Sequence, residues 1–131
     1  MREFVDSLNI RAIVLQSKGQ LEPAIADYSE SIKIAKQLVD RDPGNGTLQR
    51  FMSNVMANLS DVLLQAGRTD EALSTLEASI AVKRRLQAAD PGNSTWAYEL
   101  SVSLLTIGQA QFQREKTTEA LAFLQEARER M

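Results

Sequence analysis

The four residues Asp42, Pro43, Gly44 and Asn45 return as Asp90, Pro91, Gly92 and Asn93, 48 positions further along a chain of 131 residues. The match extends beyond this loop. Gly19 falls on Gly67, Ala24 on Ala72, Ser31 on Ser79, Ile32 on Ile80, Leu38 on Leu86, Thr47 on Thr95, Ser53 on Ser101 and Gln65 on Gln113. Another step of 48 carries Ala72 to Ala120, so "EPAIADY", "DEALSTL" and "TEALAFL" are three versions of one segment. Self-similarity at this period marks a stacked repeat array, in which each unit leaves an apolar face that its neighbour covers. The units run approximately over 1–42, 43–90 and 91–131 and make a single domain.

Each unit reads as two helices. In the first, Leu48, Met52, Val55, Met56, Leu59 and Leu63 recur at steps of three and four, and Trp96, Leu100, Leu104 and Ile107 repeat that register. The second helix carries Ala24, Tyr28, Ile32, Ala35 and Leu38 or Val39, matched by Ala72, Leu76, Ile80 and Leu86. Gly19 and Gly67 stand where a helix ends, because glycine accepts the left-handed conformation after a last turn. Thr69 or Asp70, and Thr117 or Thr118, are placed to cap the helix that follows, and Pro23 fits a first turn whose amides lack intrahelical partners. Pro43 and Pro91 end the second helix by disfavouring the helical conformation of the residue before them. Asn45 or Thr47, like Ser94 or Thr95, then caps the next. The expectation is an all-α chain of five to six helices in antiparallel pairs.

Composition narrows the chemistry. The 44% hydrophobic content supports a continuous core, and a net charge of -2 with both signs mixed leaves no basic stripe for nucleic acid or an anionic membrane. No run approaches the roughly 18 to 20 apolar residues of a membrane span, and Met1, Arg2, Glu3 and Phe4 begin no signal-peptide core. A soluble, cytoplasmic protein is expected. With no cysteine there is no disulfide, thiolate nucleophile or Cys-ligated zinc, and with no histidine the commonest general base and metal ligand is missing. Asp61 and Glu99 are carboxylates of the kind catalysis needs, but the sequence sets no paired acid, lysine or phosphate loop beside them. The chain is read as non-enzymatic, with no cofactor and no metal.

The paired small and apolar positions resemble the tetratricopeptide repeat. The first-helix series reads Leu104, Ile107, Gly108, Gln111, with Met56, Leu59, Ser60, Leu63 one unit earlier and Leu8, Arg11, Ala12, Leu15 before that. The second-helix series reads Ala120, Leu124, Ala127, then Ala72, Leu76, Ser79, then Ala24, Tyr28, Ser31. Small Gly108, Ser60 or Ala12 is expected to face Ala120, Ala72 or Ala24, as close helix approach requires. The resemblance implies helix pairs stacked into a right-handed superhelix. The family's usual repeat is 34 residues, so both helices are expected to be longer by about two turns each at 3.6 residues per turn. Long units of this kind look like repeats of bacterial multidomain signalling proteins. By the same register Met1 begins inside a first helix and Met131 stops short of its own Asp-Pro turn. The chain is therefore read as a piece of a longer array, or as one that covers its ends by self-association.

The resemblance also implies a concave groove lined by first helices, binding an extended peptide or a partner helix. Its positions here are Asp6, Asn9, Ile13 and Gln16, then Asn54, Ala57, Asp61, Leu64 and Gln65, then Val102, Leu105, Gln109, Phe112 and Gln113. Such amides suit a guest backbone and the apolar groups its side chains. Val102, Leu105, Leu64 and Phe112 read equally as packing between neighbouring first helices. Asn9, Ile13, Ala57, Asp61, Leu105 and Gln109 replace the lysine, arginine and asparagine of a carboxylate clamp, so a chaperone-tail ligand is not expected. Trp96 reads as a core anchor. Lys83, Arg84 and Arg85 read as a solvated basic run that complements a helix C-terminus. The alternative to a groove binder is a self-association element without a groove ligand.

Overall fold

A computed structural model describes residues 2–129, which form five helices: α1 (Arg2–Ser17), α2 (Leu21–Arg41), α3 (Gly46–Gln65), α4 (Thr69–Ala89) and α5 (Ser94–Glu129). Met1 and Met131, on which the reading of cut ends rests, lie outside the described residues. The period of the sequence is also the period of the fold. α4 begins at Thr69 and α2 at Leu21, and α5 begins at Ser94 and α3 at Gly46, a step of 48 in each case. Consecutive helices pack on one another, α1 on α2, α2 on α3, α3 on α4 and α4 on α5.

The Asp-Pro-Gly-Asn turns work alike. Asn45 Oδ1 accepts the Leu48 N–H at 3.1 Å, and Asn93 Oδ1 accepts the Trp96 N–H at 3.1 Å. Each amide relieves one unpaired donor of the helix it starts, worth about 1 kcal/mol. Asparagine therefore caps both helices, and Thr47, Ser94 and Thr95 do not. The expected caps at the other turns are also displaced. Thr69 and Asp70 lie inside the first turn of α4, whose N-cap is Arg68 with no side-chain cap. Arg68 instead pairs with Glu71 at 2.6 Å and Glu22 at 3.4 Å.

Glycine does stop two helices. Gly19 and Gly67 have φ of 77° and 78°. The Gln20 N–H reaches Leu15 O at 2.9 Å and the Gly19 N–H reaches Gln16 O at 3.0 Å, and Arg68 and Gly67 repeat both bonds on Leu63 and Leu64. This closure satisfies carbonyls that the helix leaves open. A methyl added at Gly67 would meet nothing within 4 Å, so the demand is conformational rather than steric. Gly67→Ala is expected to cost about 1 to 2 kcal/mol, read as a lower urea midpoint with an unchanged slope.

The two complete helix pairs bury the positions that the register matched. Ala12, Ala24, Ser60 and Ala72 are buried, as are Tyr28 and Leu76. The first core cluster joins Ala12, Ala24, Tyr28, Leu59, Val62 and Ala72 across four helices. A second joins Val5, Leu8, Ala35, Met52, Val82 and Leu86, with Trp96 packed against it as the expected anchor. Ser31 Oγ donates to Val5 O at 3.4 Å, and Ser79 Oγ donates to Ser53 O at 2.7 Å, the same bond one unit later. Arg11 grips Asp27 through two bonds of 2.6 and 2.8 Å and holds its carboxyl below the usual range.

The third pair departs from expectation. A helix boundary before residue 118 is absent, and α5 runs unbroken for 36 residues. The position equivalent to Gly19 and Gly67 is Glu115, for which a left-handed backbone costs about 1 to 2 kcal/mol. Helix continuation needs no such conformation. Thr117 and Thr118 cap nothing; their hydroxyls donate to the carbonyls of Gln113 and Arg114, one turn back in the same helix. Gly108 and Ala120, expected to face each other, are both exposed.

Candidate functional site

Between α3, α4 and α5 lies a cleft of about 270 Å³, bordered by Asn54, Ala57, Asn58, Asp61, Tyr98, Glu99 and Val102, with Lys83 and Ser103 also lining it. The amides come from α3, at the i and i+4 spacing that puts Asn54 and Asn58 on one face. Tyr98 and Val102 come from α5 by the same spacing, and Tyr98 is 70% exposed. Neither Asn54 nor Asn58 spends its side-chain amide on another described residue.

Lys83 decides the electrostatics. It is only 5% exposed and donates from Nζ to Ser103 Oγ at 2.7 Å, so it is no part of a solvated basic run. Arg84 and Arg85 do remain exposed. Burial pushes the Lys83 ammonium pKa down, with Glu99 and Asp61 pulling the other way. The Asp61 carboxyl is pushed up by the protein crowded around it, and Lys83 opposes that shift. Glu99 is already engaged, accepting from Arg50 Nε at 3.0 and 3.2 Å. The expectation that no lysine accompanies Asp61 and Glu99 is thus corrected, because α4 delivers one between them. Register would have found it: Lys83 is the counterpart of Ala35, a member of the apolar stripe and fully buried.

The remaining groove positions divide among three places. Leu64, Gln109 and Gln113 line a second depression of about 540 Å³ with Thr69, Thr106, Arg114 and Thr117. Arg114 Nη1 meets Asp70 Oδ1 there at 3.1 Å. Gln16 and Gln65 are brought together, Gln16 Nε2 donating to Gln65 Oε1 at 2.8 Å, while the Tyr28 hydroxyl donates to Gln16 Oε1 at 2.9 Å. These two amides are partly spent on each other. Asp6 and Asn9 are half-buried on α1, and Asn9 Oδ1 is sealed from solvent with no donor among the described residues.

Leu105 and Phe112 border neither depression and are exposed, as is Val102, so the packing between first helices that these three residues were also read for is not made. Leu64 does pack, against the first core cluster. Among the described residues there is no group of three or more carboxylates that could hold a metal ion. No described helix is long and apolar enough to cross a membrane.

Two segments match family models described as tetratricopeptide repeat, residues 5–38 and residues 53–86. They are themselves 48 positions apart. Residues 39–52, between them, hold the end of α2, the first Asp-Pro-Gly-Asn turn and the first seven residues of α3. No curated protein matches the chain.

Proposed function

We propose, from the premise that this chain belongs to the tetratricopeptide repeat family, that its α3–α5 cleft binds an extended segment of a partner protein. Tetratricopeptide repeats generally mediate protein–protein interaction without catalysing a reaction. The observation that carries the reading is the pairing of two uncommitted amides, Asn54 and Asn58, with the exposed Tyr98 and Val102 across one cleft. Amides of that kind engage a guest's main chain, and Tyr98 offers it a large apolar face with a polar tip. Lys83 and Glu99 hold the floor and wall of the cleft rather than carry a reaction. Lys83 is sealed under the cleft and bonded to Ser103, and Glu99 is neutralised by Arg50.

Panning a displayed peptide library on the immobilised chain is the direct test. Selected peptides should bind the variant Tyr98→Ala with Asn58→Ala about tenfold more weakly by fluorescence anisotropy, the size of a lost interface anchor. Glu77→Lys, on the exposed side of α4, should leave their affinity unchanged. Equal binding to both variants would sink the proposal.

A further inference from the structure

We infer that the guest of the α3–α5 cleft carries an arginine that docks on Asp61, with an apolar residue about three positions away seated against Tyr98 and Val102. This inference rests on the cleft reading and names the chemistry that the cleft selects. Asp61 is an exposed carboxylate that makes no hydrogen bond or ion pair with any described residue. Its charged neighbours in the cleft are already committed. Lys83 Nζ donates to Ser103 Oγ at 2.7 Å, and Glu99 accepts from Arg50 Nε at 3.0 and 3.2 Å.

The helices run in the same direction, since Arg50 meets Glu99 near their starts and Leu64 shares the second depression with Gln109 and Gln113 further on. The cleft between them is therefore a channel with two ends. On α3 its border is Asn54, Asn58 and Asp61, at steps of four and three, and on α5 it is Tyr98, Val102 and Thr106, at steps of four. Each series keeps to one helix face. Asp61 stands seven residues beyond Asn54, about 10 Å along the axis. An extended guest advances about 3.3 Å per residue, so about three residues carry it from the apolar wall at Val102 to the carboxylate.

The charges are layered. Lys83 is 5% exposed and lies beneath the cleft, whereas Asp61 is exposed at its border. The cleft thus turns its negative end to solvent and its positive end to the core, which favours a cation arriving from outside. The protein crowded around Asp61 pushes its pKa up, so this carboxylate gains more from a cationic partner than a fully hydrated one does. An acidic guest has no such anchor, because Lys83 is sealed and bonded to Ser103 and the Arg50 guanidinium is held by Glu99. Arginine suits the site better than lysine. Its planar fork can pair with both oxygens of Asp61 and still donate to the uncommitted amide oxygen of Asn58, whereas lysine offers a compact, strongly hydrated charge.

Peptides from the displayed library, labelled with fluorescein, supply the probes. Selection on the unmodified chain should enrich arginine. Replacing that arginine by citrulline, its uncharged counterpart, should weaken binding about tenfold, the size of a charge-assisted hydrogen-bonded pair. Asp61→Asn should weaken the arginine peptides by a similar factor and leave the citrulline peptides unchanged. Glu77→Gln, which removes the same charge from the exposed side of α4, should change neither. Lys83→Met should tighten the arginine peptides about threefold by removing a cation from beneath the guest, a gain that a merely structural lysine does not produce. Peptides that need Tyr98 and Asn58 yet bind Asp61→Asn undiminished would leave the cleft reading standing and overturn this inference, as would enrichment of lysine over arginine. Peptides indifferent to Tyr98→Ala with Asn58→Ala would end both.

Discussion

Lys83→Glu is expected to lower the unfolding free energy by about 4 kcal/mol, in the range for leaving buried charges unpaired. It would place a third carboxylate beside Asp61 and Glu99 and remove the bond to Ser103. Lys83→Met should stay within about 1 kcal/mol of the unmodified chain, because an apolar side chain of similar length fills the space and avoids burying a cation. The pH dependence has a definite sign. Burial lowers the Lys83 pKa in the fold while the unfolded chain keeps the ordinary lysine value near 10.4. Between these values the unfolded chain holds more protons, so the lysine's stabilising share is complete above the ordinary value and is lost as pH falls through the lowered one. Urea unfolding at about pH 7.5 and 9.5, below the ordinary tyrosine range, should show the unmodified chain gaining stability relative to Lys83→Met. A difference that is flat or reversed would mean that Lys83 is not charged at a cost in the fold.

Leu76→Ala is expected to cost about 3 kcal/mol through the cavity it leaves. Leu76 is buried in the cluster with Ile80 and Leu100, where α3, α4 and α5 converge beneath the cleft. The loss should appear as a lower urea midpoint. A cost under about 1 kcal/mol would show that α5 relaxes into the space, which would also narrow the cleft that Asn54, Tyr98 and Val102 border.

The helix pairs were legible because 48-residue self-similarity acts as an alignment of the chain with itself. Ala12 with Ala24, and Ser60 with Ala72, are buried as that alignment requires. It misled at the third pair, where conserving the apolar positions Ala120 and Leu124 suggested a separate helix. The deciding residue was Glu115, which stands where the first two units have Gly19 and Gly67, and continuation of a helix is the conformational default once glycine is gone. The cleft was half legible. Asn54 and Asp61 were found through the first-helix face, whereas Lys83 was hidden by its neighbours Arg84 and Arg85, since a run of three like charges suggests solvent. Periodicity placed Lys83 on the buried stripe, and charge type argued against its own register. Tyr98 and Asn58 fell outside the positions carried over from the family and needed the cleft itself to be seen.

The buried serine hydroxyls also have a mechanical effect. Apolar stripes make two helices adhere, yet they constrain sliding along the common axis only weakly, since a shift of one turn sets similar side chains against one another. Ser31 on the Val5 carbonyl, and Ser79 on the Ser53 carbonyl, act as index marks that fix the axial position. At the third mark the chain has Ala127, which has no hydroxyl to give. The first two pairs are thus locked in translation, and the third copy of the segment, exposed over residues 111–129, carries no such mark.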